Sequence, residues 1–316
     1  MVYSLLWFLF FCVLLSDVKI GIAKFIHDGN FARAEFDAGP DIMEGNGLYD
    51  LLDGLGVSVS ETVTARLTDE EEKEYGTIYR LGLASGHMSE IVSDQIRRDG
   101  FSLALISNCI GLMGVLGGVQ RSGDGQPLRV GLVYFDAHAD INTPETTRSG
   151  LMGGMPVASA TGMCFHRLRR QAGLEVALPT RYVTYAGVRE VDALEYEILD
   201  RSDVEYISVD DVKSMSPAIK KQMDRLSRIT DLIYIHIDTD VLNPGEMPGH
   251  TTPEPDGFSS EQLSDCLEFM CAYPNVACLG VASMPTIDDP SGASIRAFHR
   301  MIEGAMKGIK KRKPVE

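Results

Sequence analysis

Three residues with related chemistry, Asp136, His138 and Asp140, follow one another at i, i+2, i+4 in the stretch Val-Tyr-Phe-Asp-Ala-His-Ala-Asp-Ile-Asn. In extended backbone alternate side chains share a face, so this spacing would turn two carboxylates and an imidazole toward one point. Gathering like charges is costly unless a cation stands among them, and a divalent metal is the natural candidate. A polar loop with solvated Asp and His would account for the same short pattern. A second block argues against that: the run Leu-Ile-Tyr-Ile-His-Ile, residues 232–237, ends in Asp238 and Asp240, followed by the turn pair Asn243 and Pro244. Two strands that each end in carboxylates, about a hundred residues apart, suit a two-metal site at the carboxyl edge of an α/β sheet.

The elements that must position these groups are legible as apolar runs. Residues 130–135 are short, apolar and rich in β-branched and aromatic side chains, as expected of a buried strand in a parallel sheet. Further strands are expected at 19–22, 58–64, 101–106, 182–186, 204–208, 232–237 and 278–283. Helical spacing covers 41–55, most of 70–100, the Gly-rich stretch from 107, 217–229, 260–272 and 291–307. Residues 143–160 read as a Gly/Thr/Pro-rich loop passing into a helix. This alternation predicts an α/β fold with one doubly wound, mostly parallel sheet, forming a single domain over 24–308.

Composition narrows the partners. The 316 residues include 44% hydrophobic residues, ample for a large core, and carry a net charge of −16. That charge argues against a nucleic-acid surface and favours cationic or zwitterionic small molecules. The basic cluster at 307–313 reads as a solvated end, with 309–316 as a tail. Six cysteines (12, 109, 164, 266, 271, 278) form no C-x-x-C pair, so most read as small buried hydrophobes of a reducing compartment. Residues 3–15 are an apolar run of signal-peptide length without a preceding Lys or Arg, too short for a confident membrane span. Residues 1–23 therefore read either as a signal-like segment or as the first strand, and the two readings conflict, because cutting after Ala23 would remove residues 18–22. A secretory or membrane-anchored protein follows if the run is a targeting signal.

Together the two carboxylate blocks resemble the arginase–agmatinase (ureohydrolase) family. Residues 135–144 look like its second metal motif, and residues 237–244, continuing through the Pro-Gly-His-Thr-Thr-Pro-Glu-Pro stretch at 248–255, look like its third. The resemblance implies a three-layer αβα arginase-like fold and a small-molecule hydrolase cleaving a C–N bond. It implies that Asp136 and Asp238 bridge two metals while His138, Asp140 and Asp240 complete their shells. It also implies a homo-oligomer, a trimer or hexamer, and a cytoplasmic protein unless residues 3–15 redirect it. Oxygen ligands with one imidazole suit Mn2+, two ions per chain. Such a pair, about 3.5 Å apart, would lower the pKa of a water held between them. Asp140 and His250 are the candidate catalytic groups. Asn142 and Ser149 match residues holding an α-carboxylate, and Asp192 matches one holding an α-amine.

The chain departs from the family pattern at three positions. The first metal motif, Gly-Gly-Asp-His, is matched here by residues 106–109, so Cys109 falls on the histidine ligand position. A thiolate is a softer ligand, which opens the site to Fe, Co, Ni or Zn, weakens the first metal, or leaves Cys109 a plain buried thiol. Gly153 stands where arginases carry a histidine near the scissile group, and Ala282 where they carry the guanidinium-binding glutamate. Desolvating a guanidinium without that partner costs several kcal/mol, on the order of 3–5, so arginine is not the expected substrate. His250 either replaces the missing histidine or is an ordinary surface-loop residue. Two functions follow: a hydrolase with an altered substrate (amidino, formimino or amide type), or a metal-binding pseudoenzyme or regulatory partner.

Overall fold

The computed structural model describes residues 18–27, 38–287 and 289–312. Residues 3–15 of the apolar run, and Cys12 within them, lie outside the described residues. The chain enters on β1 (Val18–Phe25), then α1 (Gly39–Gly45), α2 (Leu48–Gly54), β2 (Val57–Ala65) and the long α3 (Thr77–Asp99). The middle of the chain forms β3 (Ser102–Ile106), α4 (Leu112–Arg121), β4 (Val130–Phe135), α5 (Pro156–Ala160), α6 (His166–Gln171) and β5 (Val183–Ala186). It continues through α7 (Ala193–Leu199), β6 (Glu205–Ile207), α8 (Val209–Ser214), α9 (Pro217–Ile229) and β7 (Leu232–Asp238). The last elements are α10 (Ser260–Cys271), β8 (Val276–Ala282) and α11 (Ala293–Lys310).

The eight strands make one sheet in the order β2-β1-β3-β8-β7-β4-β5-β6, and every neighbouring pair runs parallel. Every residue of β3, β4 and β8 is buried, because helices cover both faces of the sheet. One apolar layer gathers Phe298, Met301, Leu267 and Met223 from α9, α10 and α11. The other gathers Met88, Val92, Leu116 and Val119 from α3 and α4. The glycines of α4 let it lie close to its neighbours: a Cβ on Gly117 would stand 1.9 Å from the Ala172 carbonyl oxygen.

Strand order sets up the site. Strands β3 and β4 follow one another in sequence, yet β8 and β7 lie between them. At such a switch the chain leaves a crevice at the carboxyl ends of the central strands. Cys109 follows β3, Ser283 follows β8, Asp238 ends β7 and Asp136 follows β4. Four adjacent strands thus deliver side chains to one edge.

Several local expectations are corrected. The single helix over 41–55 is two, α1 and α2, broken at Asn46-Gly47, where Gly47 takes φ +84°. That dipeptide is a turn signal that the apolar spacing masked. Helices α6, α7 and α8 were not expected. The first expected strand extends from Val18 to Phe25 and pairs with strands on both sides, β2 and β3. The basic end is not simply solvated: α11 runs to Lys310, and Arg312 donates to the carbonyls of Cys271 and Val276. Among the described residues no helix is long and apolar enough to cross a membrane.

Candidate metal centre

The chain leaves β4 at Phe135, so the expected extended face over 136–140 does not form. Instead Asp140 takes a left-handed backbone, φ +49°, which short polar side chains tolerate. The loop curls back on itself, and the His138 amide donates to Asp136 Oδ1 at 2.6 Å. Ala137 and Ala139 fill the core between the functional residues; Tyr185 Oη donates to the Ala139 carbonyl at 2.7 Å. The three side chains converge as expected, by a turn rather than by a strand's alternation.

Asp238 and Asp240 meet them from β7. The Asp240 amide donates to Asp238 Oδ1 at 3.0 Å, and Thr252 Oγ1 donates to Asp240 Oδ2 at 2.8 Å. His138 Nδ1 lies 3.3 Å from Asp136 Oδ1 and 3.1 Å from Asp240 Oδ2. Cys109 Sγ stands 2.8 Å from Asp238 Oδ2 and 3.8 Å from Asp136 Oδ2. Two donor groups result, Cys109/Asp136/Asp140 and Asp136/His138/Asp240, each with its ligand atoms within 4.8 Å and both using Asp136. Asp238, Asp240 and His250 form a third such group.

The electrostatics calls for cations. Asp136, Asp140, Asp238 and Asp240 are all less than a tenth exposed. Burial first, and then the neighbouring carboxylates, push the Asp136 carboxyl well above the usual range; burial likewise raises Asp140. Burial and the charges of Asp238, Asp136 and Asp140 push the Cys109 thiol well up. Asp238 goes the other way: burial opposes its charge, but hydrogen bonding and charge from His250 hold it below the ordinary carboxylate range. His138, despite burial, is pushed up to about 12 by Asp136 and Asp240. Carboxylates packed this closely must share protons or hold metal. The donor set of hard oxygens, an imidazole and a sulfur fits divalent metal.

His250 is buried rather than a surface-loop residue. The Thr252 amide donates to its Nδ1 at 3.2 Å, so the neutral ring carries its proton on Nε2, which faces Asp238 Oδ1 at 3.5 Å. A protonated nitrogen is a donor and not a ligand, so His250 belongs beside the metal positions rather than in them. Gly153 also lines the site, and a Cβ there would meet nothing within 4 Å. Ala282 is fully buried within β8, and Ser283 lines the site in its place. Ser283 has φ +60°, and its hydroxyl donates to Asp238 Oδ2 at 2.6 Å.

These residues line a cavity of about 470 Å³ that also takes in Asn142, Ser149 and Asp192. Asn142 Nδ2 donates to Asp192 Oδ2 at 3.2 Å, while Thr146 Oγ1 donates to Asn142 Oδ1 at 2.9 Å. Asp192 also starts α7, its amide bonded to Glu195 Oε2 at 2.9 Å. Glu190, Asp192 and Glu195 line the wall, and no lysine or arginine is among the lining residues described.

Glu190 and Glu195 of the wall escaped sequence reading, and so did Tyr134, Tyr234, His236 and Ser283. The Tyr134 hydroxyl donates to Asp140 Oδ2 at 2.5 Å. The Tyr234 hydroxyl lies 2.7 Å from His236 Nδ1, and His236 Nε2 lies 3.2 Å from Cys109 Sγ. Burial holds the His236 ring neutral, with its pKa pushed down to about 4. Strand alternation was the available signal: Tyr234, His236 and Asp238 share one face of β7.

The arginase family profile matches residues 112–307, well over half of the chain. An arginase from Entamoeba histolytica is 30% identical over 256 residues, covering 74% of this chain and 78% of that protein. The chain belongs to the arginase family. An N(omega)-hydroxy-L-arginine amidinohydrolase from Streptomyces lavendulae is 29% identical, over 61% of this chain and 63% of that protein. The arginase of Bacillus subtilis superposes with TM-score 0.79 at 22% identity, over 91% of this chain and 98% of that one. This arginase-family chain therefore has the α/β fold that its sequence implied.

Proposed function

We propose that the chain is a metal-dependent hydrolase that cleaves a C–N bond of amidino, formimino or amide type in a small cationic or zwitterionic molecule other than arginine. The observation that carries this reading is the pair of buried donor groups sharing Asp136 at the wall of an acidic cavity. Asp136 and Asp238 would bridge two metals, Cys109 and Asp140 would complete one position, and His138 and Asp240 the other. Bound there, the cations would supply Lewis acidity and activate water. Asp140 is held by the Tyr134 hydroxyl through Oδ2 and can take the proton given up by the attacking water. His250, with its proton on Nε2, can donate to the departing amine. Asn142 and Ser149 would hold a substrate carboxylate, and Asp192 an amine. Arginine is disfavoured because Ala282 supplies no carboxylate and is sealed inside β8. The hydroxyarginine-hydrolysing relative supports a family range wider than arginine. Assembly as a trimer or hexamer is proposed from family membership.

Elemental analysis of protein loaded with Mn, Fe, Co, Ni or Zn, with turnover on guanidino, formimino and amide compounds, tests the reading. Two equivalents of metal with turnover of a compound other than arginine are expected. Two equivalents without any turnover would instead establish a metal-binding protein lacking activity, the reading that Gly153 and Ala282 favour.

A further inference from the structure

We propose that His236, fixed by Tyr234, is a positioning residue that presents Cys109 as a sulfur ligand to the first metal position and so sets which metal that position prefers. This rests on the metal-centre reading above. Tyr234 and His236 are fully buried in β7, whose other residues before Asp238 are leucine and isoleucine. An imidazole in such a strand is costly unless both nitrogens are satisfied. Here they are satisfied by a phenol on one side and by the Cys109 sulfur on the other, at 2.7 and 3.2 Å.

The ring's orientation is over-determined. It stacks on Tyr134 of β4 with centroids 4.8 Å apart and planes 5° off parallel. On the opposite side Gly280 of β8 pairs with it, and a Cβ on Gly280 would stand 2.2 Å from the Tyr234 hydroxyl oxygen. The glycine thus makes the room the phenol needs. Three strands cooperate to hold one ring edge-on to one sulfur, and the ring does not line the cavity, so it has no route to substrate.

The direction of the bonds follows from the sulfur. The Cys109 S–H faces Asp238 Oδ2, so His236 Nε2 must donate to Sγ and Nδ1 must accept from the Tyr234 hydroxyl. When a metal takes the sulfur, the thiol proton leaves to solvent and the Nε2–H bond to sulfur remains. Hydrogen bonds of this kind orient a ligand and adjust its strength as a donor. Sulfur biases the position toward Co, Fe or Zn over Mn. A cysteine nucleophile with His236 as its base is disfavoured, because Sγ is ringed by Asp136, Asp140 and Asp238, which oppose a free thiolate.

The test is cobalt(II) titration of the full chain, with bound metal counted by elemental analysis and sulfur–cobalt charge transfer followed in the near ultraviolet. Wild type is expected to bind two equivalents and show the sulfur band, and Cys109→Ser to lose the band. His236→Leu should weaken the sulfur-bearing position about 10–100-fold and diminish the band. His236→Gln, whose amide can donate to sulfur, should restore part of both. No cobalt bound by wild type would defeat the metal-centre reading itself. Two equivalents without a sulfur band would leave that reading intact and overturn the role of Cys109. His236→Leu binding like wild type, band included, would overturn the role of His236. Should His236→Leu not fold, Tyr234→Phe decides the matter, since it removes one hydroxyl: weakened binding supports the proposal, and unchanged binding and band refute it.

Discussion

At the scale of single residues, the centre holds more negative charge than apolar surroundings tolerate. Asp136 and Asp140 have carboxyl pKa values raised by burial, so the folded chain holds protons that the unfolded chain has released. Stability falls with rising pH wherever the folded state binds more protons. Chelated protein should therefore lose stability as pH climbs from the ordinary carboxyl value, about 3.9, through the raised folded values. His138, raised from 6.5 to about 12, adds to the decline from about pH 6.5 upward. Saturating metal should flatten the decline, and melts across the pH range with and without chelator would show it. The two altered substrate positions should respond differently to reversion. Gly153→His enters open space and should shift stability by no more than about 0.5 kcal/mol in thermal melts. Ala282→Glu places a carboxylate inside β8 and should cost more than about 2 kcal/mol in chelated protein.

At the scale of elements, helix placement depends on close approaches that apolar spacing does not reveal. Gly117→Ala would drive a methyl into the Ala172 carbonyl, and backbone cannot swing aside as a side chain can. A loss of about 1–3 kcal/mol is expected from denaturant melts, with metal content unchanged, because no residue of α4 lines the cavity. Short helices were harder to read than long ones. Residues 209–214 and 193–199 span too few turns for an apolar stripe, although both follow start signals: Ser208 with Asp211, and Asp192 with Glu195. The strands were legible because a buried parallel strand is an apolar run, a property of neighbouring residues alone.

At the scale of the whole molecule, metal held by these clusters would be linked to the fold. A ligand that binds only the folded state stabilises it by about 2.7 kcal/mol per site at a hundredfold excess over Kd. Cobalt or manganese should raise the melting temperature, and Asp136→Asn should abolish most of that gain, because both donor groups use Asp136. An unchanged gain in that variant would contradict the shared-ligand arrangement. The net charge of −16 and the acidic cavity wall act together, drawing cations toward the site and repelling anionic compounds.

The carboxylates of both blocks and the alternation of strand and helix were determined by the sequence itself, since each depends on residues adjacent along the chain. Cys109 could be suspected as a ligand only through likeness to a family motif. Its approach to Asp238 and to His236, and the Ser283 hydroxyl on that same carboxylate, were decided by the order β3-β8-β7-β4. The left-handed turn at Asp140, which replaces an extended strand, is likewise visible only in the folded chain. Strand order follows from how crossovers pack over the whole sheet, and no short stretch of residues encodes that competition.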